Sequence, residues 1–153
     1  MEITSSAFKN QERIPAQFTC EGDNVAPPLQ WEEIPQEAVT LALLVTDPDA
    51  PRGTFTHWLA YNLPPRATFL PSGESLRARF PAQALEGWND FGRQGYDGPC
   101  PPKNAGDHRY YFSLYALNTH LELLERADRE AFLFAIRGHI VDEAVWIGTY
   151  SRK

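Results

Sequence analysis

The chain has 153 residues, 42% of them hydrophobic and 22% charged, with a formal net charge of -6; this suffices for one globular domain over residues 1–153 with a substantial core. The acidic balance speaks against a nucleic-acid or anionic-membrane surface, since such partners need clustered Lys and Arg. No apolar run is long enough to span a bilayer, so no membrane insertion is expected, and the start Met1-Glu2-Ile3-Thr4 lacks the features of a secretory signal, which makes the cytoplasm the expected compartment.

Thirteen prolines and ten glycines divide the chain into short apolar segments, a rhythm that predicts a turn-rich β protein rather than a helical bundle. Thr40 to Asp47 (TLALLVTD) predicts a central strand buried on both faces. His57 to Asn62 (HWLAYN) predicts a second strand, ended by Leu63-Pro64-Pro65. The segment from Pro71 to Asp107 is rich in Gly, Pro, Asn and Asp; a loop of that length is usually functional or hides short elements. Arg109 to Leu117 (RYYFSLYAL) predicts a long strand with both faces covered. Asp128 to Arg137 predicts a helix, capped by Asp128, with Ala131, Phe132, Ala135 and Ile136 on one face and Gly138 after the last turn. Val145 to Tyr150 returns to strand character.

Two stretches carry the chemistry. Asp47-Pro48-Asp49-Ala50-Pro51 sets two carboxylates in a turn stiffened by proline, and the sequence permits a cis bond before Pro51. Gly98-Pro99-Cys100-Pro101-Pro102 offers shape and apolar walls but few backbone donors, leaving the amides of Gly98, Cys100 or Lys103. His57 and His108 each head a predicted strand, as inward-facing histidines at a cleft mouth would; singly, each is better explained as a satisfied structural histidine. A phosphatase-type nucleophile at Cys100 is excluded by the prolines that follow it and by the lack of an Arg about six residues on. Cys20 and Cys100 have no CxxC spacing, and their proximity in space is not readable from sequence. The GxxxxGK[ST], GxSxG and HExxH patterns are absent.

These two stretches, with Phe18-Thr19-Cys20-Glu21-Gly22-Asp23-Asn24, Pro27-Pro28-Leu29-Gln30-Trp31, Asn89-Asp90-Phe91-Gly92, Gly138-His139 and Gly148-Thr149-Tyr150, resemble the phosphatidylethanolamine-binding protein family. The likeness is to its bacterial, Raf-kinase-inhibitor-like branch. It implies a β-rich, mainly antiparallel fold in which a large sheet packs on a smaller one with a few peripheral helices. It also implies a pocket for phosphate, phosphoethanolamine or a similar small anion, with no cofactor. By matching position the pocket residues would be Asp47, Asp49, Ala50, Pro51 and His57 from the first region, and Pro101, Pro102, His108 and Tyr110 from the second. Eukaryotic relatives extend further at the C-terminus, where a helix can cover the pocket; this chain stops at Lys153, so a more open site is expected.

Two ionised carboxylates would repel an anion, and burial sharpens the conflict. The expected solution is that Asp47 or Asp49 accepts hydrogen bonds from turn amides or from a histidine, leaving His57 or His108 as the donor toward the ligand. Anion binding should then strengthen as pH falls from about 8 toward 5.5. The favoured function is a non-enzymatic binding or regulatory module. The rival is a metal-assisted hydrolase built from Asp47, Asp49, His57 and His108. Kinase inhibition rests on the family name alone. A protein partner or homodimer would use the neighbourhoods of Trp58 and Trp146.

Overall fold

The computed structural model describes every residue except 82, 124 and 125. Its centre is a six-stranded sheet whose cores of apolar residues lie on both faces. In spatial order it runs β2 (Glu12–Arg13), β9 (Ile140–Tyr150), β8 (His108–Leu117), β4 (Thr40–Asp47), β5 (Phe55–Leu63) and β7 (Leu85–Glu86). All pairings are antiparallel except the short parallel contact of β2 with β9. A smaller antiparallel sheet, β1 (Glu2–Thr4), β3 (Leu29–Glu32) and β6 (Phe69–Leu70), covers one face.

The alternation of side chains along each strand builds two cores from one sheet. Leu41, Leu43 and Val45 of β4 join Trp58, Tyr110, Phe112 and Leu114 with Ile3, Leu29, Trp31 and Leu70 of the small sheet. Ala42 and Leu44, pointing the other way, pack with Leu59, Tyr61, Leu121, Phe132 and Ile136. Two apolar faces explain why β4 reads as a continuous hydrophobic run rather than an alternating one.

The helix α2 (Arg129–Ala135) follows the expected cap: the Asp128 carboxylate accepts from the Ala131 amide at 2.8 Å. Phe132 of the helix and Ile136 at its C-cap are buried, while Ala131 and Ala135 are half-buried. Gly138 follows at φ 77°, a left-handed conformation that glycine adopts without penalty.

Some expectations are corrected, and points that the sequence leaves open are answered. The second strand begins at Phe55, so His57 is its third residue and not its head. The strand at 108–117 is fully buried on one face only; Tyr111, Ser113 and Tyr115 are half-buried on the other. The stretch from Pro71 to Asp107 hides short elements, as expected of a loop of that length: α1 (Leu76–Arg79) and β7. No cis peptide occurs among the described residues, so the turn at Pro51 is all trans. Trp58 is fully buried and presents no surface to a partner, and Trp146 is half-buried with its indole N–H on the Phe8 carbonyl. Cys20 and Cys100, separated by 80 residues, are joined by a disulfide.

Candidate functional site

Antiparallel order brings three strand ends to one place: β4 finishes beside the starts of β5 and β8, with Asp47 opposite Phe55 and Thr46 opposite Tyr111. Residues from each end therefore share a hollow of about 190 Å³. Asp47, His57 and His108 supply its ionisable groups. Ala50, Pro51, Pro101 and Pro102 form walls, joined by Phe55, Phe91 and Cys100. The volume falls below the roughly 300–1,000 Å³ of pockets for drug-sized ligands. A larger depression of about 880 Å³ over α2 is open surface lined by residues such as Arg129, Leu133 and Phe134, and it holds no histidine or cysteine.

His57 reaches this hollow through a β-bulge. Val45 pairs with Trp58 and Thr46 with Thr56, so His57 is an extra residue in β5. Successive side chains of a regular strand point to opposite faces, and a bulge breaks that rule locally. The His57 ring consequently packs edge-on against Tyr110, a member of the same core as its neighbour Trp58.

Both histidines are held by Nδ1. His57 Nδ1 is 2.7 Å from the Asp97 carbonyl oxygen, which can only accept, so the ring proton resides on Nδ1. His108 Nδ1 donates to Asp47 Oδ2 at 2.7 Å, and the other Asp47 oxygen accepts from the Asp49 amide at 2.8 Å. Asp47 and His108 are both buried. The carboxylate is thus satisfied by a turn amide and a histidine, as expected. Burial pushes the His57 pKa below its usual 6.5; the hydrogen bond to the Asp97 carbonyl and the charges of Asp47, Asp97 and Asp90 oppose that shift.

Asp97 belongs to a cluster that fastens the surrounding loops. Arg93 donates to it from Nε at 2.9 Å and Nη2 at 2.7 Å, Asn89 from Nδ2 at 2.7 Å and Asn24 at 3.1 Å. Burial acts to raise the Asp97 carboxyl, yet these donors outweigh it and the net shift is downward. The Asn89 side chain also accepts from the Phe91 and Arg93 amides, which shapes the turn that carries Phe91. Asp90 Oδ2 accepts from the Thr56 amide at 2.7 Å, and the Asp90 amide donates to Thr56 O at 2.8 Å. Phe91 is thereby set against Phe55 and His57, with ring centroids 4.8 and 5.5 Å away.

The second wall is equally fixed. The Gly98 amide donates to Asn24 Oδ1 at 2.8 Å, so it is committed and not free for a ligand. A Cβ at Gly98 would stand 2.0 Å from the Phe18 carbonyl oxygen, which explains glycine here. The Cys20 amide donates to Pro99 O at 3.1 Å beside the disulfide.

Seven of the nine residues expected at the site line the hollow: Asp47, Ala50, Pro51, His57, Pro101, Pro102 and His108. Asp49 does not. It binds Arg109 through both oxygens, at 2.9 and 2.8 Å, and accepts the Arg109 amide at 2.9 Å. These Arg109 contacts hold its pKa at about 2. Tyr110 lies behind the hollow, under His57. Its hydroxyl is buried, makes no hydrogen bond of normal geometry, and has its pKa raised by burial first and by the nearby Asp47 charge second.

Phe55, Phe91 and Cys100 were missing from the expected set. The resemblance of Asn89-Asp90-Phe91-Gly92 to the family was the available signal for Phe91. Among the described residues no three His, Cys, Asp or Glu side chains gather as a metal-ligand set, so the hydrolase alternative finds no support.

The sequence pattern of the phosphatidylethanolamine-binding protein family matches residues 4–151. The chain belongs to the phosphatidylethanolamine-binding protein family. It is 46% identical over 152 residues to a UPF0098 protein of Methanothermobacter thermautotrophicus, covering 99% of both chains. Among solved structures it is similar to YbcL of E. coli, described as a member of the mammalian family (TM-score 0.92, 30% identity, 99% of this chain and 98% of that one). A homologue from Chlamydia trachomatis gives a TM-score of 0.90 at 38% identity, with 99% and 97% covered. The two-sheet architecture expected from the resemblance is therefore the fold of this family member.

Proposed function

We propose that this family member binds small oxyanions, inorganic phosphate or a phosphorylated head group such as phosphoethanolamine, in the hollow between Asp47, His57 and His108, as a binding module without turnover. The supporting observation is the pair of histidines, each tethered at Nδ1, facing one small and mostly apolar enclosure. The size suits a polyatomic anion or a head group and not an acyl chain. Burial of His57 means that, for this ring, any gain in binding from protonation falls below the reference pH of about 6.5.

Isothermal titration with sodium phosphate at pH 6 and pH 8 tests the reading. Saturable binding, stronger at pH 6 and lost in both His57→Ala and His108→Ala with the circular dichroism spectrum kept, is the expected result. Absence of binding to phosphate and to phosphoethanolamine at both pH values overturns it.

A kinase target has no support beyond the branch name, and a homodimer none beyond exposed apolar residues such as Phe134. No helix among the described residues is long and apolar enough to cross a membrane. The cytoplasm is kept as the proposed compartment, with one observation against it: disulfides are rare in most reducing cytosols. Counting free thiols in denatured protein taken from its native cells settles the point. Two thiols support the cytoplasm and none counts against it.

A further inference from the structure

The donors and acceptors around the hollow are unevenly distributed. With Nδ1 of His57 and of His108 already donating, each neutral ring presents only the lone pair of Nε2, and neither Nε2 has a partner among the described residues. Pro51, Pro101 and Pro102 have no N–H. The Asp49 amide is spent on Asp47 and the Gly98 amide on Asn24, leaving Ala50 and Cys100 as neutral backbone donors in the loops of the wall.

Fixed cations are missing as well. No Lys or Arg lines the hollow. Arg109 is tied to Asp49, and Arg152 donates from Nε to Pro101 O at 2.7 Å. The charged and titratable groups that face His57 are Asp47 from β4, Asp90 and Asp97 from the loop before Gly98, and Tyr110 from β8. Those facing His108 are Asp47 and Asp49. With both rings neutral, an oxyanion with no proton brings its negative charge against two lone pairs and a carboxylate.

We propose that the pocket takes its oxyanion together with a proton, and so selects oxyanions that carry their own hydroxyl over those of the same shape that carry none. The first class comprises phosphate and, near and below their second pKa of about 6, phosphomonoesters. The second comprises sulfate and phosphodiesters. This rests on the oxyanion reading above and adds its ligand class. A ligand hydroxyl donates to one Nε2 and leaves the ring neutral. A fully ionised ligand instead requires a proton from solution on that nitrogen, so that the ring becomes the donor. In either case one proton lies between the two heavy atoms.

The probes are sodium phosphate and sodium sulfate, titrated into the wild-type chain at pH 7.5 and pH 5.5. Each titration is repeated in two buffers of different ionisation enthalpy to count protons. At pH 7.5 phosphate should bind roughly tenfold or more tightly than sulfate, as expected for a buried hydrogen bond that only one ligand can make. Sulfate should take up about one proton per site, and the gap should narrow at pH 5.5 as solution protons become plentiful. Equal affinities for phosphate and sulfate at pH 7.5, without proton uptake, overturn the inference and leave oxyanion binding intact. Failure of every anion to bind overturns the oxyanion reading, and this inference falls with it.

Discussion

His57 donates from Nδ1 to the backbone carbonyl of Asp97 at 2.7 Å, while the carboxylate of the same Asp97 is gripped by Arg93, Asn89 and Asn24. One residue thus sets the tautomer of the ring with its main chain and anchors the loop that carries Phe91 with its side chain. Asp97→Ala keeps the carbonyl but strands the donors of Asn89 and Asn24. It should destabilise the fold by about 2–4 kcal/mol in urea titration, with Asp97→Asn losing less. Wild-type stability in Asp97→Ala would show that the cluster does not anchor this loop.

Stability should also depend on His57. Its folded pKa is below the unfolded value of about 6.5, because burial disfavours the charged ring. Between the two values the unfolded chain binds more protons, so stability falls as pH drops below about 6.5 and recovers as pH rises. His57→Gln should flatten this part of the profile of melting temperature against pH. An unchanged acid slope in that variant would assign the effect elsewhere.

Asp49 and Arg109 form a bidentate pair near the surface, outside the hollow. With the Asp49 pKa at about 2, the pair contributes fully above the usual carboxylate value of about 4 and is lost as pH falls toward 2. Solvent screening keeps its contribution modest: a double-mutant cycle with Asp49→Ala and Arg109→Ala should return only a small coupling, and added salt should shrink it further. Phosphate affinity should survive Asp49→Asn within threefold, whereas a complete loss would restore Asp49 to the binding set.

The Cys20–Cys100 disulfide closes a loop of 80 residues in sequence separation. Chain-entropy reasoning puts a crosslink of this length at about 4–5 kcal/mol, at the upper end of what disulfides contribute. Cys20→Ser with Cys100→Ser should lower the urea midpoint accordingly, and the wild-type chain should show the same loss in the presence of reductant. A reductant-insensitive midpoint would contradict this.

Much of the large sheet was legible because its strands declare themselves locally. TLALLVTD and RYYFSLYAL are apolar or aromatic enough to be read, and their observed bounds differ from expectation by one residue at most. The start of β5 was misread because Phe55 and Thr56 follow a glycine-containing turn and carry too little pattern by themselves. The coverage of β8 was misread because its alternate face is aromatic, and Tyr111 and Tyr115 are content to remain half exposed.

At the site, proline and histidine spacing located the walls, but the direction in which Asp49 points was hidden. It depends on Arg109, 60 residues away, and no local pattern encodes that pairing. Phe91 and the Asp97 cluster were hidden for a similar reason. Their positions are set by side chains bonding to main chain across a turn, including Asn89 to the Phe91 and Arg93 amides.

The bulge at His57 has a consequence for how the gene can change. Substitution there alters one side chain, but deletion of that single codon would restore regular pairing and remove the phase shift between Thr56 and Trp58. The segments on either side already pair with Val45 and Thr46 as neighbours in β4, so both would keep their partners and faces, and the loss would fall on the ring in the pocket. The spacing from Asp47 to Trp58 is therefore free to shorten by one residue in descendants that have abandoned the histidine, because the extra residue serves the pocket and not the ladder.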